Sequence, residues 1–273
     1  MMTTAPPGER RENLRKGVYI LPNLFTTGGL FSGFYSIVAT VNGHYDLAAW
    51  FILIAGIFDA LDGRVARITN TTSRFGVEYD SLADLVAFGV APGLLMYMWA
   101  LKPFGKFGWL AAFLYLVCGA LRLARFNVQV NTVESKRFLG LPIPAAAGMV
   151  ASCVLLFYYF GGSGAIVKKI SILLLIYILA FLMVSSIRYY SFKDPELVKR
   201  QPFSMLVLAI FLIIVIVARP ELMLFIIALT YTASGPVGRL LSLFRRKKAQ
   251  EEEQLAAARE EQEKETTSVE NGS

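Results

Sequence analysis

Apolar residues run through this chain in blocks of about twenty, the length that carries a helix across a bilayer, and short polar clusters separate the blocks. The blocks fall at 19–41, 45–63, 77–100, 107–126, 141–161, 169–187, 203–218 and 221–241. The pattern predicts an all-α integral membrane protein, a polytopic helix bundle of about eight transmembrane helices. The last two blocks also read as one hairpin around Arg219, Pro220 and Glu221.

Composition agrees with this reading. Of the 273 residues, 55% are hydrophobic and 17% charged, and the mean hydropathy of +0.53 is well above what a water-facing surface permits. The net charge of +7 does not point to nucleic acid as a partner. The basic residues sit in short clusters between apolar blocks, where anionic membrane lipids are the natural counter-charge. With the N-terminus inside, all 27 Lys and Arg except Lys102, Lys106, Lys168, Lys169 and Arg219 fall on the cytoplasmic side. The positive-inside rule then places both termini in the cytoplasm. The opening MMTTAPPGERRENLRKG is polar and basic, and the long block after it lacks a small-residue cleavage site. It reads as a retained first span preceded by an interfacial amphipathic helix over RRENLRKG, not as a removed signal. Cys118 and Cys153 lie in apolar blocks without metal-ligand spacing and read as packing residues. The tail EEEQLAAAREEQEKE carries strong helix formers and no apolar face, the pattern of a solvated helix.

Four carboxylates break the pattern at the lips of two blocks. The second block ends FDALDGRVAR and the third begins GVEYDSLAD. Helical spacing puts Asp59 and Asp62 three apart on one face and Asp80 and Asp84 four apart on another. The short connection makes the two helices antiparallel neighbours whose acidic faces meet. Carboxylates gathered beside hydrocarbon repel one another and lose hydration, so protons or cations must compensate. Oxygen-only ligands suit the hard divalent ions Mg²⁺, Mn²⁺ or Ca²⁺, and four carboxylates suffice for two of them. A metal pair suggests phosphoryl chemistry, in which cations clamp the attacking and leaving oxygens. Gly63 follows Asp62 and Gly76 opens the next helix, where a side chain would block a ligand's phosphates. Arg67, five residues beyond Asp62, has the reach of a bidentate phosphate donor. Against this, single acids at a membrane lip are often interfacial, and glycines often only pack helices.

The series Asp59, Asp62-Gly63, Ala66-Arg67, Gly76, Asp80 and Asp84, with two, two, eight, three and three residues between successive groups, resembles the signature of the CDP-alcohol phosphotransferase family at every fixed position. The resemblance implies a membrane enzyme that displaces CMP from a CDP-linked lipid with an alcohol acceptor. It implies a core of six transmembrane helices plus two here, commonly a homodimer, with a polar cavity facing the cytoplasm and opening to lipid. It further implies Asp59, Asp62 and Asp80 as ligands to two divalent ions, Mg²⁺ or Mn²⁺ with Ca²⁺ also compatible. Asp84 would add to that site and act as the base that activates the acceptor hydroxyl. Gly63, Ala66, Arg67 and Gly76 would shape the CDP pocket. The organisation that follows is a cytoplasmic segment at 1–18, a catalytic core at 19–187, an additional transmembrane hairpin at 188–241 and a charged cytoplasmic tail at 242–273. The single histidine, His44, falls on the opposite membrane face, which excludes histidine base catalysis under this topology.

The flanks narrow the acceptor. LPNLFTTGGLFSG, DSLADLVAFGVAPG and LRLARFN followed by FLGLPIPAAAG resemble the membrane-integral bacterial and archaeal phosphatidylserine synthases over residues 20–150, and the likeness thins beyond. This resemblance implies CDP-diacylglycerol and L-serine as substrates, in a bacterial or archaeal cytoplasmic membrane. Direct displacement fits the lack of an obvious activated Ser, Cys or His nucleophile. Arg122, Arg125 and Asn127 are candidates to hold serine's carboxylate, against the alternative that the arginines anchor to lipid phosphates. Asn23 and Thr26 either reach the nucleotide or bond neighbouring helices. Pro142 and Pro144 punctuate the start of the fifth span. The nearest alternative is the same family with glycerol 3-phosphate or inositol phosphate as acceptor, which needs a denser basic pocket. From another class, a cation or proton transporter would string the aspartates along a path.

Overall fold

The computed structural model describes residues 7–69, 73–129, 138–162, 170–189 and 218–242. Among them are the helices α1 (Pro7–Val41), α2 (Tyr45–Ile68), α3 (Arg74–Phe104), α4 (Lys106–Gln129), α5 (Ile143–Tyr159), α6 (Ile170–Val184) and α7 (Pro220–Ser242). Two-residue strands β1 (Phe138–Leu139) and β2 (Arg188–Tyr189) pair antiparallel, Phe138 opposite Tyr189. The protein is an all-α membrane protein, and seven of the eight predicted spans coincide with these helices. Residues 203–217 of the remaining span and 243–273 of the tail lie outside the described residues.

Length and composition let four of the helices cross a bilayer, namely α1 from Pro22, α3, α4 and α7. The exception among the long helices is α2, for a chemical reason: its 24 residues carry Asp46, Asp59, Asp62, Arg64 and Arg67. The acids that give the chain its chemistry are the ones that dilute this span. Helices α5 and α6 have 17 and 15 residues, shorter than the roughly 20 of a perpendicular span. Pro142 caps α5 and Pro144 lies in its first turn, where a missing N–H costs nothing. The basic segment 10–17 forms the start of α1 without a break before Pro22.

Close packing begins with a stripe of small residues on α1. Thr26, Gly29, Gly33, Ser36 and Thr40 recur every three or four positions and are all buried, which lets α2 and α3 approach. The Ser36 hydroxyl donates to the Ala48 carbonyl of α2 at 2.8 Å. At Gly33 the contact is backbone to backbone: a Cβ there would lie 2.6 Å from Ala87 Cα of α3.

Helix α3 is not regular. Leu85–Val90 and Tyr97–Leu101 are π-helical turns separated by the α-helical Ala91–Met96. A π turn releases backbone groups from the i→i−4 ladder and is common near functional sites. Here the fully buried Tyr115 of α4 donates its hydroxyl to the Phe88 carbonyl at 3.1 Å, stitching the first π turn to its neighbour. Phe88, Leu95, Met96, Trp99, Tyr115 and Ile143 form the centre of the apolar core. Phe31, Phe34, Ile57, Phe113 and Phe181 are more than half exposed, as expected of side chains that face hydrocarbon.

Candidate active site

The last turns of α2 and the first turns of α3 hold the four aspartates. Ser73 caps α3 from an extended backbone, its hydroxyl accepting from the Gly76 N–H at 2.9 Å. That cap fixes the start of α3, and the helical repeat then presents Asp80 and Asp84 to α2. Carboxylate oxygens of Asp59, Asp62 and Asp80 all lie within 4.8 Å of one another. Oxygens on one hard divalent ion are separated by at most about twice the metal–oxygen distance, roughly 4–5 Å, so the triad has the spacing and donor chemistry of a metal site. Asp84 lines the same cleft, together with Thr26 and Gly29 of α1, Ala55 of α2, and Ala83, Ala87 and Phe88 of α3. The four acids thus share the cleft with mostly small side chains. The arrangement gathers negative charge at one place instead of spacing it along a path.

Helix α1 supplies the polar support. The Thr26 hydroxyl is 3.0 Å from Asp62 Oδ2 and 3.1 Å from the Pro22 carbonyl, so one proton has two acceptors. Thr27 Oγ1 and the Tyr79 hydroxyl are 3.0 Å apart, tying α1 to α3 one residue before Asp80. Asn23 approaches Gly76: a Cβ on that glycine would meet Ser73 Oγ at 3.1 Å and Asn23 Oδ1 at 3.4 Å. Beyond Asp62, Arg67 donates its Nε–H to the Gly63 carbonyl at 2.8 Å, and Arg67 Nη2 is what a Cβ on Gly63 would meet, at 3.6 Å. Ala66 is half-buried on the same turn. The predicted nucleotide-side residues therefore cluster along one end of α1, α2 and α3.

The predicted acceptor residues separate. Arg122 is 9% exposed, its Nε has no hydrogen-bond partner among the described residues, and its guanidinium is within electrostatic reach of Asp84 and Asp59. Such a charge in a low-dielectric setting serves the acids as counter-charge and keeps a donor for a ligand. The amide of Asn127 instead donates to Ser81 Oγ at 2.9 Å, which fastens α4 to α3 between Asp80 and Asp84. This bond ties the two helices through the same side chain that is expected to serve the acceptor. Arg125 is half-buried and, like Arg122 and Asn127, is not part of the cleft lining. His44 caps the far end of α2, about 22 Å along the helix from Asp59 by the α-helical rise.

Two contributors escaped the sequence reading. The π turn at Leu85–Val90 begins directly after Asp84, and no residue pattern marks it. Tyr231 of α7 comes within electrostatic reach of Arg122. The hairpin expected as an addition to the core thus packs its last helix against the core, through Phe225, Ala228 and Tyr231.

Comparison with known proteins matches residues 19–184 to the family described as CDP-alcohol phosphatidyltransferase. A CDP-diacylglycerol–serine O-phosphatidyltransferase of Helicobacter pylori is 46% identical over 176 residues, 64% of this chain and 74% of that protein. An enzyme of the same name from Saccharomyces cerevisiae is 45% identical over 141 residues, 45% of this chain and 50% of that protein. The archaetidylserine synthase of Methanothermobacter thermautotrophicus is 38% identical over 171 residues, 62% of this chain and 69% of that protein.

Proposed function

We propose, because this chain belongs to the CDP-alcohol phosphatidyltransferase family, that it transfers the phosphatidyl group of CDP-diacylglycerol to the hydroxyl of L-serine, yielding phosphatidylserine and CMP. The names of its relatives support the acceptor. The observation that carries the chemistry is the meeting of Asp59, Asp62 and Asp80 in one cleft with Asp84.

In this reading Asp59, Asp62 and Asp80, with Asp84, hold divalent ions, a pair of Mg²⁺ or Mn²⁺. When bound, these ions supply the positive charge that the diphosphate and the departing CMP require. Asp84 takes the proton of the serine hydroxyl as its oxygen attacks the β-phosphorus of CDP-diacylglycerol. The bond from that phosphorus to the CMP oxygen breaks, and CMP leaves with the electron pair. No phosphatidyl-enzyme forms. Thr26 orients Asp62 through its hydroxyl. Gly63, Ala66, Arg67, Gly76 and Asn23 bound the nucleotide side, where Arg67 reaches a phosphate. Ala55, Ala87 and Phe88 give the cleft its apolar lining, which disfavours water beside the reacting groups. Arg122 holds the serine carboxylate, and Arg125 and Asn127, from the same helix end, serve the acceptor with it.

The basic-residue asymmetry supports a cleft and both termini on the cytoplasmic side of the membrane. Residues 19–187 form the catalytic core of a homodimer and 188–241 a further hairpin. The testing experiment is CMP release by the protein in detergent with CDP-diacylglycerol, Mg²⁺ or Mn²⁺, and serine, glycerol 3-phosphate, inositol phosphate or no acceptor. Release that requires serine supports the reading. Release with another alcohol rejects the acceptor, and ion flux without CMP release rejects the reaction.

A further inference from the structure

Helix α7 lies beyond the residues that match the family, yet its register against the core is fixed at two places. Near one end, the Arg219 guanidinium donates to the Tyr159 hydroxyl and its carbon sits 5.6 Å from the centre of that ring. Further along, the buried Tyr189 of β2 donates its hydroxyl to the Thr232 carbonyl at 3.2 Å. Gly235 lies directly against the Tyr189 ring, and a side chain there would overlap it. Tyr189 and Tyr231 pack with ring centroids 5.7 Å apart and planes inclined by 37°.

This docking brings Tyr231 within electrostatic reach of Arg122. The guanidinium of Arg122 is likewise within electrostatic reach of Asp84 and Asp59. The buried Arg122 Nε has no hydrogen-bond partner among the described residues. A buried guanidinium nitrogen left without an acceptor is costly unless a ligand supplies one. A carboxylate is the matching ligand, because guanidinium and phenol hydroxyl both donate.

We propose that α7 completes the acceptor site, Tyr231 and Arg122 together forming a two-donor seat for the carboxylate of an amino-acid alcohol. The proposal rests on the acceptor reading above and adds to it a residue from outside the shared family region. In it Tyr231 binds substrate and plays no part in proton transfer.

The test uses the full chain in detergent with Mg²⁺ or Mn²⁺, and compares serine with serinol, which keeps the amine and hydroxyl but has CH₂OH in place of the carboxylate. Tyr231→Phe removes one hydrogen bond to a charged group, so the KM for serine rises by roughly ten- to hundredfold while that for CDP-diacylglycerol stays within about twofold. The preference for serine over serinol shrinks by the same factor. An unchanged preference, or an equal rise in both KM values, overturns the proposal. As a second measurement, 3-fluorotyrosine placed at position 231 of the otherwise unaltered chain shifts its ¹⁹F resonance on saturation with serine and not with serinol. A resonance indifferent to serine overturns the proposal without reference to turnover. If the unsubstituted protein releases no CMP with serine and does so with another alcohol, the acceptor reading itself fails, which is a different result from either.

Discussion

Thr26 Oγ1 of α1 lies 3.0 Å from Asp62 Oδ2 of α2, so the first helix, which carries no acid of the site, orients one of its carboxylates. Hydrogen bonds behind metal ligands commonly change metal affinity by roughly 10- to 100-fold. Thr26→Val keeps the shape and removes the donor. Mn²⁺ binding measured by calorimetry should weaken by about that factor. Affinity unchanged from the parent protein would show that the hydroxyl serves only the Pro22 carbonyl.

Asp84→Asn keeps the size of the side chain and cannot accept the acceptor's proton. CMP release should fall below detection while CDP-diacylglycerol still binds, as measured by protection of the protein against thermal unfolding. Full activity in this variant would remove Asp84 from the role of base.

Chelation should stop CMP release, and Mg²⁺ or Mn²⁺ should restore it, because three carboxylates within 4.8 Å of each other need a cation to neutralise both themselves and a diphosphate. Asp59→Asn and Asp80→Asn should each raise the metal concentration needed for half-activity. Turnover that continues in excess chelator would contradict the site.

Gly33→Ala places a methyl group 2.6 Å from Ala87 Cα and forces α1 away from α3. Overpacking of this kind costs about 1–3 kcal/mol. Both the unfolding temperature and the CMP release rate should fall, the second because Ala87 lines the same cleft as the acids. A variant as stable and as active as its parent would mean that the two backbones separate without consequence.

What the sequence disclosed follows from how local each signal is. Apolar blocks of span length and the i,i+3 and i,i+4 spacings of Asp59, Asp62, Asp80 and Asp84 depend on near neighbours, and the helices and the gathered carboxylates appear as expected. Asn127 stands as an acceptor candidate at the end of α4. Its engagement with Ser81 depends on the rotation of α4 against α3, which no local pattern encodes. The π turn after Asp84 is stabilised by Tyr115, 27 positions from Phe88, and Tyr231 meets Arg122 across more than a hundred residues of chain. Such long-range contacts are set by packing, and one sequence carries no trace of them.

The turn at Leu85–Val90 separates two demands on α3 that a uniform helix would have to meet together. Insertion into a bilayer depends on length and apolarity, whereas the acids and the core beneath them depend on angular phase. Wound as one uniform α-helix, the same 31 residues would turn Asp80 and Asp84 by roughly 100° relative to Ala91 and everything after it. The membrane would accept that chain, and the protein would fractionate with lipid yet release no CMP. Six residues of unremarkable composition thus act as the gearing between a segment chosen by its solvent and a site chosen by its chemistry.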